Sequence, residues 1–94
     1  MINSIKKKKL LEILMPYQPK RVGIFGSYAR DEQTKKSDLD ILVDFKNTIN
    51  LLDLVGLELD LSEKLGIKVD LLTENALNNT LRPYVEKDIK WIFE

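Results

Sequence analysis

Two short apolar runs, each bordered by small or acidic residues, constrain the fold of this chain most strongly. The run from Arg21 to Phe25 is predicted to form a strand, and Gly26-Ser27 follows it directly. A second run, over 39–45, contains Asp40 and is preceded by Ser37-Asp38. Because side chains alternate between the two faces of a strand, Asp38 and Asp40 are expected to point the same way. The sequence therefore predicts a sheet with paired carboxylates on one face.

Gly26-Ser27 is predicted to bind phosphate. Where a helix begins, the first backbone N–H groups have no partner within the helix and can donate to phosphate oxygens, and the serine hydroxyl adds a further donor. A Gly-Ser pair after a strand is, taken alone, most often an ordinary turn. The nearby carboxylates are what favour a phosphate site here.

A third carboxylate, Asp70, stands in another strand-like run, with Val69 and Leu71 predicted on the opposite face. If that strand lies beside the one over 39–45, the carboxylates could share Mg²⁺ ions roughly 3.5–4 Å apart. This run does not match a calcium-binding EF-hand loop, because the sixth residue, counting Asp38 as the first, is not glycine. The pattern favours nucleotidyl transfer, with Asp70 as the candidate base for the attacking hydroxyl.

Together these residues resemble the minimal nucleotidyltransferases of the DNA polymerase beta-like superfamily. That family's pattern is Gly-Ser-x-Ala-Arg, a loop, Ser-Asp-x-Asp, and a later strand with a third Asp. The matching positions run from about residue 20 to the C-terminus and are Gly26, Ser27, Ala29, Arg30, Ser37, Asp38, Asp40 and Asp70. One departure is Asp31, where many members have Gly, and this bears on the loop conformation more than on the chemistry.

The predicted site has two parts. The catalytic residues, which are also the ligands of two Mg²⁺ ions, are Asp38, Asp40 and Asp70; the nucleotide-binding residues are Gly26, Ser27, Arg30 and Ser37. Two of the latter have a structural alternative: Arg30 could instead bond a carboxylate or the loop, and Ser37 could brace the turn that aims Asp38.

Other side chains are given structural interpretations. Tyr28 could stack on a base or pack in the core. The lysines from Lys6 to Lys9 are interpreted as the solvated face of a helix, with an RNA or partner patch as the alternative. Surface or helix charges are predicted for Asp44, Asp53, Glu58 and Asp60, and C-terminal packing for Arg82, Pro83 and Tyr84.

Periodicity and turn residues predict one domain, 1–94, of the α/β (α+β) class: a small mixed sheet of three to four strands with helices mainly on one face and the metal site on the other. Along the chain we expect an amphipathic helix ended by Pro16 and Pro19, a strand at about 20–25, a short helix from Ser27, a strand at 39–45, a helix at 51–65 that stops at Gly66, a strand at 67–72 and a last helix that opens at 81–85. The segment 89–93 could be a strand or a helix end.

Composition narrows the chemistry. There is no cysteine and no histidine, which excludes disulfides, the usual zinc sites and histidine acid–base catalysis. Lysine plus arginine and aspartate plus glutamate total 15 each, so net charge does not indicate nucleic-acid binding. No signal peptide or membrane span is predicted, and a cytoplasmic protein is the default expectation.

The resemblance implies transfer of NMP, most plausibly AMP from ATP, to a hydroxyl, and it implies a helical HEPN toxin as partner, with a tyrosine of that toxin as acceptor and this chain as antitoxin. Alternatives are a binding module that neutralises its partner by occlusion, or a transferase acting on RNA or a small molecule. A homo-oligomer is also considered, because Trp91, Ile92, Phe93 and the leucine-rich helix faces are expected to expose an apolar patch.

Overall fold

The computed structural model describes residues 1–94 and contains a four-stranded sheet and three helices. In chain order the elements are α1 (Ser4–Leu14), β1 (Pro19–Phe25), β2 (Leu39–Phe45), α2 (Leu51–Leu65), β3 (Val69–Thr73), α3 (Arg82–Asp88) and β4 (Lys90–Phe93). Single 3₁₀ turns lie at Met15–Tyr17, Gly26–Tyr28 and Glu74–Ala76. None of the helices combines the length and the apolar character that crossing a membrane would require.

The strands lie in the order β3-β2-β1-β4. β1 is antiparallel to both of its neighbours, whereas β2 and β3 are parallel. A parallel pair requires a long crossover, and α2 supplies it between β2 and β3. The predicted mixed sheet is confirmed, and its one parallel pair is the pair that carries the acids.

The two faces of the sheet differ in what covers them. α1 and α2 pack on one face, over a core that includes Leu39, Ile41 and Val43 of β2. On the other face α3 covers only a small cluster of Leu42, Leu77 and Val85. The prediction that helices lie mainly on one face is confirmed, and the thinly covered face is left open for a site.

Local residues set the helix ends, and for α2 the structure adds a cap at Asn50 to the predicted stop at Gly66. Asn50 begins α2 because its side chain accepts a hydrogen bond from the Asp53 backbone N–H at 2.8 Å. Gly66 ends α2 in the left-handed conformation, with φ of 66°. α1 ends at Leu14, and Pro16 lies in the 3₁₀ turn that follows. The predicted span of α2 is therefore confirmed.

Two predicted elements differ in detail from the structure. The short helix expected from Ser27 is a single 3₁₀ turn over Gly26–Tyr28, because the polar loop after it offers no apolar face to bury. The strand expected at 67–72 is Val69–Thr73, since Ile67 and Lys68 still belong to the connection after Gly66.

The ambiguous segment 89–93 forms strand β4 at the edge of the sheet, antiparallel to β1. Its side chains lie close over Gly23, where an added Cβ would come within 2.9 Å of the Trp91 ring. Trp91 is half-buried and carries the Arg21 guanidinium 4.1 Å from its ring centroid.

An exposed apolar patch was predicted at the end of the chain, and that location is wrong. Trp91, Ile92 and Phe93 are half-buried, because β1 pairs with this strand and the two cores receive its side chains. The exposed apolar residues that form a patch lie instead on α2, where Leu51, Leu52, Val55 and Leu59 are exposed. The expectation for the leucine-rich helix face is confirmed.

Candidate active site

Asp40 and Asp70 are register partners on the parallel strands β2 and β3. Their strand neighbours Leu39, Ile41 and Val69 are buried in the main core, so the two acids point to the opposite face. Both acids are half-buried. Neighbouring strands lie about 4.8 Å apart, so this register brings the two carboxylates side by side. The sequence prediction that a third strand would lie beside β2 with its Asp facing the site is confirmed.

Asp38 lies just before β2 and completes the acidic group. Its charge acts on both other acids and raises the pKa of each. On its outer side the Lys68 ammonium lies 3.7 Å from Asp38 Oδ2. One largely exposed cation therefore lies beside the acidic group.

The electrostatics show that these acids repel each other. Burial, with added repulsion from Asp70 and Asp38, raises the pKa of Asp40 to about 6. Burial, the charge of Asp38 and a side-chain hydrogen bond with Asp38 raise the pKa of Asp70. A bound cation would offset this repulsion and stabilise the carboxyl groups of Asp40 and Asp70 in their ionised form.

The acids fit Mg²⁺ by donor type and position but are not preformed as a cage. No three acidic side chains converge closely enough to define a metal site by themselves. Carboxylate oxygens are the ligands that Mg²⁺ prefers, and it commonly takes only one or two of them with water and phosphate oxygens. Asp38, Asp40 and Asp70 are the residues that would hold it.

Gly26 brings the turn after β1 directly against Asp40. Its φ is +72°, a conformation that residues with a side chain rarely adopt, and a Cβ at this position would overlap Asp40 Oδ2. The adjacent Ser27 hydroxyl has no hydrogen-bond partner within the chain. The predicted phosphate turn is thus in contact with the predicted metal ligand.

Ser37 supports the loop that leads to Asp38. Its Oγ accepts a hydrogen bond from the Thr34 backbone N–H at 2.8 Å. This contact matches the bracing alternative for Ser37, and its prediction as a direct nucleotide ligand stays a prediction.

Arg30 links the turn to α3. Its Nη1 donates to Asp88 Oδ2, and its Nε lies 3.4 Å from Glu32. The Asp88 carboxylate raises the pKa of the Arg30 guanidinium. The structural alternative for Arg30 is therefore present, while the side chain still lines the cleft beside Asp40.

Asp31 adopts the left-handed conformation, with φ of 56°. Glycine, which the resemblance led us to expect here, adopts such a φ readily, and aspartate is one of the few other residues that tolerate it. Its carboxylate pairs with the α-amino group of Met1. The departure from the family pattern therefore leaves the turn intact.

Glu58 was predicted to be a surface or helix charge; it lies on α2 as predicted, but it also has a structural role that the sequence analysis missed. Its Oε2 accepts a hydrogen bond from the Leu71 backbone N–H at 2.7 Å, and Ser62 Oγ accepts one from Val69 N–H at 2.9 Å. α2 thus satisfies the outer edge of β3 on both sides of Asp70. The signal in the sequence is a polar pair spaced i, i+4 beside the buried stripe of α2.

Two further predictions concern aromatic residues. Tyr28 packs against the main core, which agrees with its packing alternative. Tyr84 was expected to pack at the C-terminus, but its side chain is 71% exposed, because Val85 is the residue that α3 buries against the sheet.

The chain matches the family model described as "Nucleotidyltransferase domain" over residues 7–92. Among curated relatives, MJ0126 of Methanocaldococcus jannaschii, provisionally named a protein adenylyltransferase, is 49% identical over 95% of this chain and 88% of that protein. Protein adenylyltransferase MntA of Thermococcus cleftensis is 34% identical over 97% of this chain and 92% of that protein.

Solved structures show the same fold. A toxin–antitoxin crystal structure with AMP-PNP matches at a TM-score of 0.85 and 25% identity, over 93% of this chain and 72% of the other. An MNT antitoxin in complex with a tri-AMPylated HEPN toxin of Shewanella oneidensis matches at a TM-score of 0.80 over 98% of this chain and 72% of the other; at 21% identity this match shows the fold alone. The family match over residues 7–92 and these relatives show that this chain belongs to the nucleotidyltransferase domain family, as a minimal nucleotidyltransferase.

Proposed function

We propose that the chain transfers NMP, and specifically AMP from ATP, to a hydroxyl of a partner protein in a Mg²⁺-dependent reaction. The acceptor we propose is a tyrosine of a HEPN-type helical toxin, which the transfer neutralises, so that this chain acts as the antitoxin.

One observation carries this proposal: Asp40 and Asp70 stand in register on parallel strands, with Gly26 packed against Asp40. This arrangement places a turn with donors for phosphate oxygens beside acids that suit a cation. A nucleoside triphosphate with its Mg²⁺ is a ligand that has both kinds of group. A structural ion-pair network would need basic partners, and the one basic contact of these acids is the rim contact of Lys68 with Asp38.

Each residue has a definable task. The Gly26-Ser27 turn would bind the β- and γ-phosphates, which orients the α-phosphate toward the acids. Asp38, Asp40 and Asp70 would hold two Mg²⁺ ions, which, when bound, supply Lewis-acid stabilisation of the charge that develops on the phosphate oxygens. Asp70 stands in register with Asp40 on the edge strand β3, so it is the candidate to accept the proton of the attacking hydroxyl.

The choice of a protein acceptor rests on the relatives and on the openness of the site. The Asp38 side chain is 36% exposed, so a large acceptor could reach it. The relatives are named protein adenylyltransferases, and the solved complex with AMP-PNP is a toxin–antitoxin pair. These names support adenylylation of a toxin rather than of RNA or a small molecule.

A second candidate function is neutralisation by occlusion without transfer. The observation that favours it is the exposed apolar row on α2, where Leu52 is 84% and Leu59 is 65% exposed. Such a row is typical of a surface that a protein partner covers. Occlusion and transfer could then be carried by different faces of the same chain.

Transfer and occlusion separate in one experiment. The purified chain, Mg²⁺, α-labelled ATP and a candidate HEPN-type helical protein are incubated, and the mass of the helical protein is measured by mass spectrometry. We expect a mass increase of one or more AMP units on a tyrosine. Asp38→Asn and Asp40→Asn should abolish the increase, because an amide does not supply the negative charge that holds Mg²⁺.

The matched control is Asp60→Asn, which removes an acid from the exposed side of α2, where Asp60 contacts Lys64 at 3.7 Å. It should label the partner as the wild type does. If Asp38→Asn and Asp40→Asn still neutralise the partner fully, occlusion is the mechanism. If the label enters RNA instead, nucleotidyl transfer stands and the protein acceptor is wrong.

A further inference from the structure

A cleft of about 470 Å³ opens beside the acids, between the Gly26 turn and α3. It is lined by Gly26 and Asp40 on the side of the proposed site and by Leu81 and Tyr84 from the start of α3. Cavities of this size are typical of small-ligand sites. The cleft therefore extends the proposed phosphate and metal site toward α3. Apart from Gly26, Arg30 and Asp40, the residues that line it were not predicted to belong to the site.

Tyr84 is the unusual residue of this cleft. Val85 beside it is 1% exposed and fixes α3 to the sheet, whereas the Tyr84 side chain is 71% exposed. An aromatic ring left in solvent loses the stabilisation that its burial would provide. Leu81, one turn earlier on the same side of α3, is 38% exposed in the same cleft. Leu81 and Tyr84 together form an apolar wall of the cleft, and the flat ring of Tyr84 is part of this wall.

The position of this wall is fixed by polar contacts. Arg30 follows the phosphate turn and pairs with Asp88 at the end of α3. Arg30 also acts electrostatically on Asp40, so its guanidinium lies near the metal ligands as well. An ion pair thus links the turn to α3, and Tyr84 stands on a helix that the buried Val85 anchors to the sheet rather than on a loose segment.

Lys87 adds a cationic group to the same cleft, and it forms no ion pair within the chain. The cleft therefore contains the backbone donors of the Gly26 turn, the cationic Lys87 and an aromatic ring with an aliphatic neighbour, and its two further acids, Glu32 and Asp88, both pair with Arg30. A nucleoside triphosphate presents groups that suit this lining: phosphate oxygens for the donors and the cation, and a planar base for the ring.

We propose that this cleft is the nucleoside subsite and that Tyr84 is the platform on which the base stacks. The inference rests on the proposed function, because it assumes that the Gly26 turn and the acids bind a nucleoside triphosphate. It extends that function by assigning a residue that recognises the base. Stacking is strongest for large ring systems, so the subsite favours purine over pyrimidine nucleotides.

The test measures binding with and without a base. Calorimetric titrations of the full chain with Mg²⁺ compare ATP with inorganic tripolyphosphate, which has the phosphates alone. For Tyr84→Ala we expect ATP to bind roughly 5- to 100-fold more weakly, as is usual when a stacking ring is removed, and tripolyphosphate to bind unchanged. Tyr84→Phe keeps the ring and should bind ATP as the wild type does.

Nucleotide preference is the second readout. The wild type should bind ATP and GTP more tightly than CTP and UTP, and Tyr84→Ala should lose most of that difference. The matched control is Tyr17→Ala, which removes a tyrosine that is 41% exposed and lies outside the cleft. It should leave every affinity unchanged.

The outcomes distinguish the subsite from the proposed function. If the wild type binds ATP and Tyr84→Ala binds it equally well, the subsite is wrong and the proposed function stands. If Tyr84→Ala weakens tripolyphosphate as much as ATP, Tyr84 acts on the phosphate site and the base platform is overturned. If the wild type binds neither ligand, the proposed function fails and the subsite fails with it.

Discussion

At the scale of single residues, Gly26 explains how the proposed phosphate turn and Asp40, a proposed metal ligand, come into contact. Its positive φ turns the chain sharply after β1, and its missing side chain leaves room for the Asp40 carboxylate. Gly66 has a similar φ of +66° but has nothing within 4 Å of an added Cβ. Substituting alanine for Gly66 therefore tests backbone strain alone, whereas the same change at Gly26 tests backbone strain together with the steric clash against Asp40.

Gly66→Ala should lower the free energy of unfolding by about 1 kcal/mol, because only the left-handed backbone is strained. Gly26→Ala should cost more, since the new methyl group also displaces Asp40, and it should abolish ATP binding. Urea unfolding and calorimetry measure the two effects. Normal ATP binding by Gly26→Ala would show that the turn does not contact the nucleotide.

Asp40 predicts how the stability of the metal-free protein depends on pH. Its pKa is about 6 in the fold and 3.8 in the unfolded reference. The folded state therefore binds a proton more tightly, so the free energy of unfolding should fall as pH rises between these values and should level off above about pH 6. At neutral pH the ionised Asp40 destabilises the metal-free fold.

The substitution Asp40→Asn removes the charge that destabilises the metal-free fold at neutral pH. In EDTA the variant should melt at a higher temperature than the wild type above about pH 6, and the difference should disappear below about pH 4, where the wild-type carboxyl is protonated in both states. Thermal melts across this pH range test it, with Asp60→Asn as the control for loss of a surface acid. Equal melting temperatures of Asp40→Asn and wild type at neutral pH would contradict the repulsion between these acids.

At the scale of elements, the position of β3 depends on α2 as well as on β2. Glu58 and Ser62 of α2 accept the N–H groups of Leu71 and Val69 along the outer edge of β3. Without Glu58 and Ser62, the backbone N–H groups of Leu71 and Val69, which flank Asp70, would have no hydrogen-bond acceptor. Helix α2 therefore helps to place the third acid of the site.

Glu58→Ala should lower the free energy of unfolding by about 1–3 kcal/mol, because the Leu71 N–H is left without its acceptor. Glu58→Gln keeps an acceptor oxygen and should cost less. Glu63→Ala, on the exposed side of α2, is the matched control and should be close to neutral. Hydrogen exchange should show faster exchange of the Leu71 amide in Glu58→Ala alone; unchanged exchange would mean that the contact does not protect β3.

Elements were predictable from sequence where local chemistry decides them. Asn50 and Gly66 bound α2, and alternation around Asp40 and Asp70 identifies β2 and β3. Segment 89–93 was ambiguous because a short apolar run has no period that separates strand from helix. What decides it is the unpaired edge of β1 and the space above Gly23, and both of these are tertiary features.

At the scale of the whole molecule, the site combines segments that lie far apart in sequence. The family pattern identified Asp38, Asp40 and Asp70, and the in-register placement of Asp40 and Asp70 followed once β3 was assumed to lie beside β2. The cleft beside them was not predictable, because it depends on how α3 packs across the sheet. Local patterns carry no information on that packing, and Tyr84 was consequently assigned to packing rather than to a cleft.

The most direct measurement is a calorimetric titration of the purified chain with ATP, once in Mg²⁺ and once in EDTA. Because the acids and the triphosphate repel each other until a cation bridges them, we expect clear binding with Mg²⁺ and much weaker binding with EDTA. In Asp40→Asn the advantage of Mg²⁺ should be largely lost. Equal affinity in Mg²⁺ and EDTA, or no binding at millimolar ATP, would contradict the assignment of Asp38, Asp40 and Asp70 as the acids that bind the nucleotide through Mg²⁺.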